Sequence, residues 1–142
     1  AVLFIDLDNF KDINDTLGHE AGDDVLNTMG QRMSALVREV DTVARIGGDE
    51  FIILLDGADS QAEITPTAQR MVDTLQRPVT HRGHQLACGA SIGIGCFPQD
   101  GEDITSLIAA ADQAMYLAKQ SGRNQLRFAS ALADSSQVRS DP

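Results

Sequence analysis

The chain has 142 residues, enough for one domain with a sizeable core. Its formal net charge of −10 argues against a broad nucleic-acid or anionic-membrane surface, though not against a small phosphate ligand met by local cations or metal. Aromatics make up only 4% and Trp is absent, so the core must rest on Leu, Ile, Val, Ala and Met.

"AVLFIDLD" is an unbroken apolar run ending in acids, the pattern of a central strand covered on both faces. "NFKDINDTLGH" places Phe10 and Ile13 three apart, which predicts a short helix stopped at Gly18. From Gly22 to Val40, the positions Leu26, Met29, Met33, Leu36, Val37 and Val40 keep helical spacing and predict a long amphipathic helix. "TVARI" and "FIILL" flank Gly47-Gly48 and predict a hairpin, with Asp49 and Glu50 opening its second strand. Ala58 to Gln76 predicts a helix with Ile64, Ala68, Met71, Val72 and Leu75 inward, Pro66 being tolerated near its start. "PVTHRGHQLACGASIGIGCFP" predicts a short strand, a turn at Arg82-Gly83 and a longer Gly-rich strand. "DITSLIAAADQAMYLAKQSG" predicts the last helix, with Ile104, Leu107, Ile108, Ala111, Met115 and Ala118 inward and Gly122 as its cap. "NQLRF" predicts a final strand, and residues 129–142 a polar tail or linker.

A hairpin in mid-chain rules out a purely parallel sheet, so the expected class is α+β: a mostly antiparallel central sheet flanked by helices. Cys88 and Cys96 form no metal-ligand pattern and are expected as buried thiols of a reducing compartment. No run is long enough to span a membrane. The opening without Met suggests a piece of something longer.

Strand alternation puts Asp6 and Asp8 on one face. If the hairpin lies beside the first strand, Asp6 and Asp49 converge, and paired carboxylates suit Mg²⁺, a hard ion that keeps waters for a phosphate. The competing reading makes Asp8 a helix cap and Asp49 and Glu50 turn acids. Paired glycines reach positive φ and leave bare backbone for a ligand. Asn14 beside Asp23 offers the donors and acceptors of a purine edge, although both residue types also cap helices. His19 alone reads as a surface or capping residue. Lys119 and Arg123, four apart near the end of the last helix, suit either the helix dipole or phosphate. Arg38 and Asp41, at the end of the long helix, are by default a surface ion pair.

These stretches together resemble the GGDEF-domain diguanylate cyclases of bacteria. The resemblance runs from "FIDLDNFKDINDTLGHEAGD" through "REVDTVARIGGDEF" and "SIGIGCFP" to "AADQAMYLAKQSGRNQ", with the signature intact at Gly47-Gly48-Asp49-Glu50-Phe51. It implies a palm-like, nucleotidyl-cyclase-like fold over residues 1–128, and an enzyme that joins two GTP into cyclic di-GMP with release of two pyrophosphates. It implies a homodimer, each domain holding one GTP, in the cytoplasm, with a parent protein that can be membrane-attached. By resemblance, Asp6, Asp49 and the Leu7 carbonyl hold Mg²⁺ or Mn²⁺ with Glu50 in the same site, and Asp49 is the base. Asn14 and Asp23 read guanine, and His19 and Gly48 lie by the nucleotide. Phe10 and Lys11 line its phosphate end, and Lys119 and Arg123 meet the β- and γ-phosphates. Arg38-Glu39-Val40-Asp41 matches the family's R-x-x-D inhibitory site for cyclic di-GMP, with Arg70 as a second contact. The family usually carries a D-x-L-T-G-L-x-N-R segment before the first strand, and this chain begins after it. "QLRFASALADS" resembles the junction to a phosphodiesterase domain, which implies the alternative of a regulatory module binding GTP or cyclic di-GMP.

Overall fold

The computed structural model describes residues 1–58 and 60–130. A five-stranded sheet runs in the order β2-β3-β1-β6-β7. Its strands are β1 (Val2–Asp8), β2 (Thr42–Gly47), β3 (Glu50–Leu54), β6 (Gly89–Gly95) and β7 (Leu126–Phe128). Every pairing is antiparallel except β6 with β7. The apolar run at the start of the chain is therefore the central strand, as its lack of polar alternation requires. A separate hairpin, β4 (Val79–His81) and β5 (His84–Leu86), turns through Arg82 and Gly83, both at positive φ.

Among the described residues, four helices flank the sheet: α1 (Phe10–Leu17), α2 (His19–Leu36), α3 (Gln61–Leu75) and α4 (Ile104–Gln120). Alternation along β1 divides the core. Leu3, Ile5 and Leu7 pack with Met29, Met33, Met71 and Leu75 in the larger cluster. Val2 and Phe4 face Ile52, Leu107, Ala111 and Met115 of the smaller one. The glycines of β6 explain how α4 lies so close. A Cβ on Gly93 would stand 1.9 Å from the Ala111 carbonyl oxygen, and one on Gly95 2.8 Å from that of Leu107. Helix backbone thus rests on strand backbone, which brings the end of α4 down to the end of β1.

Several expectations shift in detail. α2 spans His19–Leu36 rather than Gly22 to Val40, so Arg38 and Asp41 sit in a turn after the helix, and Val40 is 63% exposed. α3 starts behind Ser60, whose hydroxyl accepts from the Glu63 N–H in half of a capping box. Pro66 lies past the first turn, at the cost of one helical hydrogen bond. Arg123 lies beyond α4. Its N–H bonds to the Ala118 carbonyl and Gly122 takes φ +119°, a Schellman end that turns the chain off the helix axis. Cys88 and Cys96 are free and buried. The expected linker lies, apart from residues 129 and 130, outside the described residues. No helix among the described residues is long and apolar enough to cross a membrane.

Candidate active site

The parity that sends Val2 and Phe4 toward α4 sends Asp6 and Asp8 the same way. They meet Lys119 in the last turn of α4, its Nζ 3.0 Å from Asp6 Oδ1 and 3.1 Å from Asp8 Oδ1. The register pairs Asp6 with Glu50 across β1 and β3. Asp49 sits one step further out, and its carbonyl accepts from the Leu7 N–H at 3.1 Å. The cross-strand partner of Asp6 is thus Glu50, where the sequence suggested Asp49, because the turn consumes Gly48 and Asp49 before the ladder resumes. Of the two glycines, Gly48 alone takes positive φ, and the space above both is open, so backbone lies bare there. Arg45 Nε holds the Gly48 carbonyl at 2.9 Å.

This cluster is electrostatically frustrated. Burial pushes the Asp6 carboxyl up to about 6 despite the hydrogen bond and charge of Lys119, and Asp49 and Glu50 push it the same way. Burial also raises Glu50, followed by the nearby charges of Asp49 and Asp112. A set of crowded carboxylate oxygens fits Mg²⁺ or Mn²⁺ by donor chemistry. No three side chains of metal-binding type already stand at ligating spacing among the described residues, and the cation on Asp6 is Lys119.

Asp8 does not cap α1. Its carboxylate, 4% exposed, accepts from Ser91 Oγ at 2.8 Å, Lys119 Nζ at 3.1 Å and the Asn124 N–H at 2.9 Å. Ser91 and Asn124 were missed in the sequence, where only Asp8's shared face with Asp6 pointed toward them.

The nucleotide-facing candidates gather around α1 and α2. Asn9 opens α1 in the left-handed region with no side-chain cap, so the first-turn N–H groups are not claimed by a side chain. The Phe10 side chain packs into the core beside α2, while Lys11 is exposed. Neither Asn14 nor Asp23 caps a helix; the cap positions are Asn9 and Gly18. Asn14 lies over Gly22, where a Cβ would come 1.9 Å from its Oδ1, so Gly22 is a further residue that the sequence did not single out. Asp23 opens onto a groove of about 770 Å³ between α2 and strands β2 and β3, lined also by Arg45 and Phe51. His19 is the exposed first residue of α2. The α2 end is tied to the β4–β5 hairpin through His81 with Asp24 and Arg82 with Glu20. Arg123 lines a cavity of about 360 Å³ with Asp8, Asn9 and Asn124.

The Arg38–Asp41 turn stands apart. Asp41 accepts from the Arg38 N–H at 2.8 Å, Nε at 3.2 Å and Nη2 at 3.1 Å, and from the Asp56 N–H at 2.9 Å. Arg38 Nη2 also donates to the Asp56 carbonyl. Burial alone would raise the Asp41 carboxyl, but these hydrogen bonds and the guanidinium charge hold it below its ordinary value. A cavity of about 190 Å³ beside Arg38 and Asp41 is closed by Glu63 and Thr67 of α3; Arg70, on the same helix, is not among its lining residues.

Comparison with known proteins matches this geometry to one family. The family described as diguanylate cyclase, GGDEF domain matches residues 1–125. MucR of Pseudomonas aeruginosa, a bifunctional diguanylate cyclase/cyclic di-GMP phosphodiesterase, is 44% identical over 128 residues, 90% of this chain and 18% of MucR. The chain thus spans less than a fifth of that relative. Among solved structures, the GGDEF domain of TpbB from the same organism superposes with a TM-score of 0.87 at 42% identity, covering 90% of this chain and 75% of that one. The GGDEF domain of DgcB from Caulobacter crescentus, solved with cyclic di-GMP, gives 0.81 at 27% identity, covering 91% and 77%. The chain belongs to the GGDEF domain family.

Proposed function

We propose that this domain condenses two GTP into cyclic di-GMP and two pyrophosphates, as one half of a dimer in which each domain holds one GTP. The observation that carries the reading is the crowded acidic end of β1 and β3. Asp6, Glu50 and Asp49 gather there, with Lys119 beside them and the bare Gly47-Gly48 backbone at the turn. In-line attack on an α-phosphate by the 3′-hydroxyl of a second GTP calls for this combination. Asp6, Asp49 and the Leu7 carbonyl, with Glu50 alongside, would hold Mg²⁺ or Mn²⁺, which spreads the charge developing on the phosphates. Asp49 accepts the proton of the attacking hydroxyl. Asn14 and Asp23 hold the guanine edge, and the packing of Asn14 on Gly22 fixes its direction. His19 lies by the nucleotide. Backbone N–H groups at Phe10 and Lys11 receive phosphate oxygens at the positive end of α1. Lys119 and Arg123 meet the terminal phosphates.

Cyclic di-GMP returns as an inhibitor at the exposed Arg38 guanidinium. Asp41 acts through Arg38 here, since its own acceptor sites are filled, and Arg70 is the outer contact. The alternative is a regulatory module that binds GTP or cyclic di-GMP for an attached phosphodiesterase. It is favoured by the composite name of MucR and the small share of MucR that the chain covers.

The two readings separate when the domain, in this chain or a longer form carrying it, is incubated with GTP and Mg²⁺ across concentrations that populate the dimer. Cyclic di-GMP that falls by about 10³-fold or more in Asp49→Ala supports the cyclase. GTP binding by the dimer without product assigns the domain to the module.

A further inference from the structure

Lys119 is shared by two carboxylates that depend on it unequally. Asp8 has two further donors, the Ser91 hydroxyl at 2.8 Å and the Asn124 N–H at 2.9 Å. For Asp6, Lys119 is the only cation in contact among the described residues, and Glu50 stands in register beside it with Asp49 close by. The Lys119 side chain is 19% exposed, on a flexible four-carbon stem.

We propose that Lys119 is the stand-in counterion of Asp6: it neutralises Asp6 until a divalent cation arrives, then withdraws to Asp8 and turns its freed N–H toward the nucleotide. The inference rests on the reading of Asp6 as a metal ligand. Two cations on one carboxylate repel strongly at this range in a half-buried site. The lysine yields because it has a second partner whose position does not depend on it. Asp8 is then a positioning residue for both phosphate cations. It tethers the Lys119 ammonium directly, and through the Asn124 N–H it pins the loop that carries Arg123. Metal and nucleotide binding become coupled through one side chain, since the ion that takes Asp6 also releases a donor for phosphate.

The chain has two lysines, Lys11 and Lys119, so a lysine-labelled sample gives two side-chain NMR signals, assigned with Lys119→Arg. Titration with Mg²⁺ in the absence of nucleotide should move the Lys119 signal and leave that of Lys11. Calorimetry with Mn²⁺ should show Lys119→Met and Lys119→Gln binding about tenfold more tightly than the parent, since a like charge has left the site. Asp6→Asn should abolish both responses. Metal binding that depends on Asp6 but leaves the Lys119 signal unmoved, with affinity unchanged or weaker in Lys119→Met, overturns the exchange and spares the metal reading. Absence of millimolar binding in parent and variants alike overturns both. If neither substitution folds, the titration of the unaltered protein decides alone.

Discussion

Two acid–cation clusters sit in the same sheet-and-helix frame with opposite electrostatics. In the turn after α2, the Asp41 side chain is 2% exposed and takes four donors, and its carboxyl lies below its ordinary value. At the end of β1, the Asp6 side chain is 16% exposed, has Lys119 as its cation, and is pushed up to about 6. Burial opposes ionisation in both places. The outcome differs because Asp41 has backbone N–H groups and a guanidinium fork aimed at it, whereas Asp6 has other carboxylates for neighbours. An acid with several donors aimed at it fixes a turn, while one crowded by like charges stays costly to ionise.

The comparison breaks most easily at Asp41. Asp41→Ala removes the carboxylate that accepts four of the turn's hydrogen bonds and leaves the Arg38 and Asp56 N–H groups to water. An unfolding free energy lower by about 2 kcal/mol is expected from urea denaturation. A loss within experimental error would mean that the turn stands on its backbone alone and that Asp41 is an ordinary surface partner. Arg38→Ala is the gentler cut. Its guanidinium is 63% exposed, so the fold should survive while the inhibitory constant of cyclic di-GMP rises about tenfold or more. Unchanged inhibition would place the inhibitory contact elsewhere and leave Arg38 as a brace.

Element order and strand types were legible in the sequence because burial writes itself as periodicity: the unbroken "VLFI" of β1 and the three-and-four spacing of α3 and α4 have few other solutions. Boundaries were less legible. Val37 and Val40 continue the apolar spacing of α2, yet Val37 is extended, since the buried carboxylate of Asp41 draws the Arg38 backbone into a turn. The acids at the hairpin could be named, but not their partners. Whether Asp6 faces Glu50 or Asp49 depends on the register of β1 against β3, a pairing of segments more than forty residues apart that no local pattern encodes. The network of Asp8 was hidden for the same reason. Ser91 and Asn124 lie 83 and 116 residues away in sequence, and only the close seating of α4 on the glycines of β6 brings them together with Lys119.

The finest test of the contrast is its pH dependence in protein free of metal and nucleotide. Asp6 has its folded value raised from 3.8 to about 6, so folding favours the protonated acid. Its contribution to stability is therefore complete below about pH 4 and is lost as pH rises through about 6. Asp41 has the reverse sign: its contribution is present above the ordinary carboxylate range and lost as pH falls beneath it. Asp6→Asn cannot ionise, so it should match the parent near pH 4 and exceed it by about 1 kcal/mol at pH 7, after allowance for solvent screening at a partly open site. Saturating Mg²⁺ should reverse that order, since the parent gains a ligand that the variant cannot hold. If Asp6→Asn proved less stable than the parent at pH 7 without metal, the pair with Lys119 would be net stabilising. The end of β1 would then be a closed ion pair of the same kind as the Asp41 turn, with no electrostatic demand left for a metal to meet.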